Sequence, residues 1–345
     1  MRKVFLLLLI VGAWSKCQQA LAQQQSMYTM YMFNQLAYNP AYAGSANALD
    51  ISLLHRHQWW GFGSGSPMTQ NLNVHAPLRA QNIGLGLNAT FDRIGVDKSV
   101  SLFPSFAYRI KFGDHTKKGK GGYISLGLQG GVGNYTANYS QLNLDNPNDP
   151  AFAVQRPNVR LPNFGAGIYI HTKTWYVGLS APMLINNKLR KRTDIEPDDL
   201  PISQLYRHYY LSAGFAVKLS NDVVMRPSLL VKNVGLFMDK NISSKVGAPT
   251  EFDIDLAFLF KRVFWVGIAF RSSFDMKNSS YDSIDFWALV RLKNGLGIGA
   301  AFDYTLSKLN PGVQGSYEIM LRYDLIRSDA DGGTSDSKIE HIRYF

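Results

Sequence analysis

Three histidines raise the first question of chemistry. "HRHQWW" sets His55 and His57 two residues apart, and "NVHAPL" brings His75 in the following segment. Imidazoles at such spacing hold a transition metal when they converge. Here they diverge. Leu49, Ile51 and Leu53 share the parity of His55 and His57, whereas His75 has the parity opposite to Leu72, Val74 and Ala76. Ligands divided between two faces of a sheet do not share one ion. His55 and His57 are therefore read as anchors near a rim, and no metal is expected.

The other candidates fall for similar reasons. "GLGLNA" from Gly84 and "GLQGGVG" from Gly127 look like phosphate loops, but such loops need a strand-to-helix junction. These glycines sit inside strand patterns, where they relieve crowding or permit bends. His208 and Ser212 share one face of a segment, yet four residues of strand separate them by about 13 Å. There is no G-x-S-x-G. "DNPNDP" from Asp145 lacks the glycine and closing glutamate of a calcium loop and reads as turn chemistry. No enzyme and no cofactor are expected.

The elements that carry these residues alternate with period two. In "TWYVGLSAPM", Trp175, Val177, Leu179, Ala181 and Met183 oppose Tyr176, Gly178, Ser180 and Pro182. "NIGLGLNATFD" and "GLGIGAAFDYT" repeat the pattern with glycine-rich second faces. About fourteen such segments begin near Asn47, Thr69, Asn82, Ser99, Gly122, Pro162, Thr174, Tyr206, Val223, Glu251, Val263, Ser283, Gly295 and Gln314. Most approach the roughly 9–11 residues a tilted strand needs to cross a bilayer. The polar face carries Glu251, Asp253, Asp255, Asp285, Arg291, Lys293, Asp303, Glu318 and Arg322. The fold class expected is all-β: a transmembrane antiparallel β-barrel of about 14 strands, with those charges lining the lumen. Arg271, Arg291 and Arg322 are expected to offset the stripe Glu251, Asp253, Asp255. Aromatics near segment ends are expected to form girdles: Trp59, Trp60, Phe112, Tyr123, Tyr209, Tyr210, Phe264, Trp265, Trp287 and Tyr323. A large secreted β-sandwich is the alternative architecture.

The ends set the compartment. Residues 1–22 read as a signal peptide: basic Arg2 and Lys3, the apolar run Val4–Gly12, and a small-x-small site at Ala20–Ala22. Cleavage there removes Cys17, the single cysteine, and lowers the formal charge from +11 to about +8. The alternative, a lipoprotein signal at Cys17, is opposed by Ser15 and Lys16. Residues 23–46 form an N-terminal periplasmic or plug segment, 47–326 the barrel, and 327–345 a C-terminal periplasmic tail. Short connections such as "TK" and "KR" alternate with long ones at Tyr135–Leu161, Asn186–Leu205 and Gly235–Thr250. The short set is assigned to the periplasm, together with both termini. Several short turns are basic, "GDHTKKGKGG" among them, and suit acidic lipid, an acidic partner or simple solvation.

"MYTMYMFNQLAYNPAYAGS" is too aromatic for a disordered leader. Its side chains need a surface, either the lumen or a partner. This block, then "RHQWWGF", "PMTQNLNVHAPL", "GLGLNATFDRIG" and "SLFPSFAYRIKFG", closely resembles the PorP/SprF family of the type IX secretion system. The strong matches cover Tyr31–Gly113, and the closing Arg343, Tyr344 and Phe345 are similar to the family's ending. Trp60 stands where many relatives carry a small aliphatic residue.

The resemblance implies an outer-membrane barrel of Bacteroidota in the secretion and gliding machinery. Its implied partners are outer-membrane lipid, periplasmic secretion-system subunits and one secreted surface protein or adhesin; nucleic acid is not expected. Tyr31, Met32, Phe33, Asn34, Tyr38, Asn39, Pro40, Tyr42, Arg343, Tyr344 and Phe345 are the candidate partner-binding residues. The outer connection "NNKLRKRTDIEPDD" is the segment expected to face the exported partner. A solute channel is the competing function.

Overall fold

Alternation decides the architecture: one face of the long strands is mainly apolar, and the opposite face mixes glycine, polar and charged residues with a few large apolar ones such as Leu54, Trp287 and Met320. The computed structural model describes residues 25–46, 48–63, 65–78, 82–113, 121–142, 158–189, 204–234, 236, 250–274, 281–292, 294–307 and 312–325. Fourteen long strands follow one another: β1 Leu49–His57, β2 Met68–Pro77, β3 Ile83–Ile94, β4 Asp97–Gly113, β5 Gly121–Ala137, β6 Asn158–Thr172, β7 Trp175–Ala181, β8 His208–Phe215, β9 Val223–Val234, β10 Glu251–Phe260, β11 Phe264–Ser273, β12 Tyr281–Arg291, β13 Leu296–Thr305 and β14 Ser316–Leu325. Each pairs antiparallel with its neighbours in sequence. The ring closes where Leu49–His57 pairs with Leu325–Tyr317. Closure removes the exposed edges that an open sheet would present to hydrocarbon.

The start positions read from the sequence fall within a few residues of these strands. Leu85, Leu128, Phe164 and Leu179 are among the outward side chains left exposed, as an apolar band requires. His55 and His57 lie on that outward face beside Tyr317, while His75 is buried inside. Four of the expected girdle aromatics point the other way. Tyr123, Tyr210, Trp265 and Trp287 are buried in the lumen, because each shares the parity of an inward polar neighbour such as Asp285 beside Trp287. Trp60, Phe264 and Tyr323 are exposed.

Strand β6 overshoots β7, whose ladder stops at Ala166 opposite Ala181. The following segment seals the gap through Asn163. That side chain accepts from the backbone N–H of Leu184 and of Ile185, each at 3.0 Å, and donates to the Ile185 carbonyl at 3.0 Å. The signal peptide, the tail with Arg343, Tyr344 and Phe345, "DNPNDP", most of "GDHTKKGKGG" and all of "NNKLRKRTDIEPDD" from Arg190 onward lie outside the described residues.

Candidate functional site in the barrel lumen

Residues 25–46 run inside the barrel. Three short 3-10 turns fold the segment, Tyr31–Phe33, Gln35–Ala37 and Pro40–Tyr42. Asn39 starts the last of them: its Oδ1 accepts the Ala41 N–H at 2.9 Å, and Pro40 takes the first turn position, where no donor is needed. The expected partner-binding residues Tyr31, Met32, Phe33, Asn34, Asn39, Pro40 and Tyr42 are buried, and Tyr38 is 7% exposed. Of the two surfaces such aromatics could find, the lumen is the one they occupy here.

The glycine-rich second face explains how the segment fits. A Cβ on Gly84 would collide with the Ala43 carbonyl, one on Gly127 with the Ala41 nitrogen, and one on Gly167 with the Asn39 side chain. Gly84 and Gly127 carve a groove in which backbone meets backbone, and Gly167 makes room for the Asn39 side chain. Along it the Asn39 Nδ2 donates to the Ile168 carbonyl at 3.0 Å, and the Ser180 hydroxyl donates to the Tyr38 carbonyl at 2.9 Å. Sequence reasoning took Gly84 and Gly127 as local relief. The signal that distinguishes the two readings is the glycines' shared inward parity across β3, β5, β6 and β7.

A second contact zone is ionic. Arg56 pairs with Asp303 and Glu318, each at 2.6 Å, and donates to the Thr29 hydroxyl at 3.0 Å. Glu318 also accepts the backbone N–H groups of Thr29 and of Met30, the latter at 3.0 Å. The Thr29 hydroxyl donates to Asp303 at 2.6 Å. Arg271 binds Asp253 at 2.6 Å and reaches the Tyr28 carbonyl at 3.3 Å. A buried ion pair of this kind is sustained by the additional hydrogen bonds that satisfy its remaining atoms. Arg56 was missed as a lumen residue, although its parity opposite His55 and His57 places it inside.

The charge offsets are more local than expected. Arg271 does serve Asp253, but Glu251 pairs with Lys232 at 2.8 Å. Asp255 accepts from the Trp287 indole at 2.6 Å. Arg291 and Arg322 belong to a separate set with Asp324 and Asp50. This correction follows from register: the latter two arginines lie nearer the other end of their strands.

The third zone is aromatic. Phe33 meets Trp287 edge-on at 5.5 Å and Trp265 at 6.1 Å between centroids. The Arg226 guanidinium lies 4.9 Å from the Phe33 ring and 4.4 Å from Trp265. On the opposite wall Tyr42 packs against His75 at 5.1 Å and Tyr169 at 5.3 Å. His208 is buried and contacts the Tyr206 carbonyl at 2.9 Å through Nδ1. Ser212 lines a void with Tyr31, Gln35, Tyr38 and Asn39 that measures about 10 Å³. A space of that size holds one water at most.

The segment is threaded lengthwise. Ser26 contacts Thr69 near the start of β2, and Gly44 packs against Pro77 at its end. Gln25 accepts from the Tyr210 hydroxyl in β8, at the same end as Thr69. That end bears the long connections. The amino-terminal part thus lies opposite the short-turn end where it was expected, because the chain runs down the length of the lumen, ending in the glycine groove, before β1 begins.

A family model described as "Type IX secretion system membrane protein PorP/SprF" matches residues 20–323. No curated protein matches the chain. Among solved structures, the KdgM porin in complex with disordered oligogalacturonate is similar at 9% identity, covering 80% of this chain and 99% of that one with a TM-score of 0.36. The Acinetobacter baumannii outer membrane protein Omp33 is similar at 7% identity, 82% and 100% coverage and a TM-score of 0.40. A Pseudomonas aeruginosa FadL homologue matches at 10% identity, 80% and 89% coverage and a TM-score of 0.38. Likenesses of this size carry no argument about function.

Proposed function

Because the chain belongs to the PorP/SprF family of type IX secretion system membrane proteins, we propose that it is a closed, non-enzymatic barrel subunit that assists export or surface retention of a partner protein. The observation that carries the reading is the filled lumen. A solute channel needs a continuous aqueous path, and Tyr31, Met32 and Phe33 occupy its centre with barrel side chains packed around them. The work of such a subunit is then done at its two faces. Periplasmic subunits of the machinery meet the short turns, and the exported partner meets the long connections.

The N-terminal residues Tyr31–Tyr42 act in this reading by holding the barrel shut and stiff, so that both faces are presented in fixed geometry. Arg343, Tyr344 and Phe345 are assigned to the periplasmic contacts, an assignment that rests on the family resemblance alone. A mild-detergent pull-down of the tagged barrel from its native envelope tests the proposal. Recovery of periplasmic secretion subunits or a large surface protein supports it. Recovery of the barrel alone, under conditions that retain other complexes of that envelope, overturns it.

A further inference from the structure

The direction of the threaded segment has a topological consequence. Ser26 and Gly44 touch opposite ends of the same strand: Thr69 is its second residue and Pro77 its last. Eight residues of strand separate these contacts by about 27 Å along a strand tilted by roughly 40°, which is about 20 Å of an apolar band roughly 25 Å tall. Between them the contacts descend in order. Thr29 meets Asp303 and Glu318 near the long-connection ends of β13 and β14, Tyr31 meets Ser228 halfway along β9, and Asn39 meets Ile168 in the lower part of β6. Both ends of the segment are tied, one by ions and one by the glycine groove.

We infer that Gln25–Met27 open on the outer surface of the membrane, making residues 25–46 a strap that crosses the whole barrel before β1 recrosses it. The two ends of the described chain then lie on opposite sides: Gln25 outside and Leu325 in the periplasm. Gln25, Ser26 and Met27 are half-buried, whereas Thr29 and Met30 beneath them are sealed. The exported partner, on reaching the long-connection face, therefore meets the strap's upper end at the centre of that face. This inference rests on the proposed function, which assigns the long connections to the outside.

Cysteine labelling tests it cleanly, because Cys17 is the only cysteine and lies in the expected leader. Ser26→Cys and Met27→Cys are compared on intact cells with Ser140→Cys, exposed at the long-connection end, and Ser220→Cys, exposed in a short turn. A membrane-impermeant maleimide is expected to label Ser140→Cys and at least one strap variant on intact cells, and Ser220→Cys only after the outer membrane is permeabilised. Denatured samples confirm that each thiol is present. If Ser140→Cys is labelled on intact cells while neither strap variant is, the strap inference fails and the barrel's orientation stands. If Ser220→Cys is labelled on intact cells and Ser140→Cys is not, the assigned orientation fails and takes the inference with it.

Discussion

Gly127 lies against the backbone nitrogen of Ala41 so closely that any Cβ there would collide with it. The contact joins the wall of the barrel to the lower part of the strap, and it recurs at Gly84 with Ala43 and at Gly167 with Asn39. An interior built this way is a packed core, with the strap supplying half of each contact.

Gly127→Ala is expected to expel the strap or prevent closure, since overpacking a filled interior costs about 1–3 kcal/mol and backbone on both sides cannot yield. Gly297→Ala is the matched control, because its nearest neighbour would stand 3.6 Å away. Heat-modifiable gel mobility and protease resistance of the N-terminal segment separate the two. Equal behaviour of both variants would count against the groove.

Glu318→Leu removes one of the two carboxylates paired with Arg56 and strips the Thr29 and Met30 N–H groups of their acceptor. Breaking a buried pair on one side costs about 3–5 kcal/mol. Thermal unfolding of the detergent-solubilised barrel should show a marked drop, and Thr29→Ala a smaller one. A wild-type melting profile for Glu318→Leu would show that the clasp contributes nothing.

Phe33→Ala empties the slot between Trp265, Trp287 and Arg226. Large-to-small changes of this kind cost about 3–5 kcal/mol. Both indoles lose an aromatic neighbour, so the variant's tryptophan emission should shift to the red. Unchanged emission together with unchanged stability would place Phe33 elsewhere.

Asn39→Ala removes the acceptor for the Ala41 N–H and the donor to the Ile168 carbonyl. Loss of a capping side chain costs about 0.5–2 kcal/mol. The expected result is a barrel that still folds, with faster proteolysis between Tyr38 and Gly44 on mild heating.

Much of this was legible in the residues. Period two located the strands because a wall between lipid and lumen imposes it at every position. It also sorted Asp253, Asp255, Asp303 and Glu318 to the inside. The girdle assignment failed at Trp265 and Trp287, where proximity to a strand end was weighed above parity. What local pattern could not supply was the occupant of the lumen. The aromatic block demanded a surface, and the glycines left space on one, but contacts such as Thr29 with Glu318 span most of the chain and have no local signature. The strap's direction was hidden for the same reason: nothing between Ser26 and Gly44 encodes which end of the barrel each residue reaches.

Single-channel recording in a planar bilayer tests the central claim, a lumen closed by the strap, most directly. The intact purified protein, with its N-terminal segment confirmed by mass spectrometry, is expected to insert without conductance steps across moderate voltages. Stable, ohmic steps from that same intact protein would contradict the account and make it a channel.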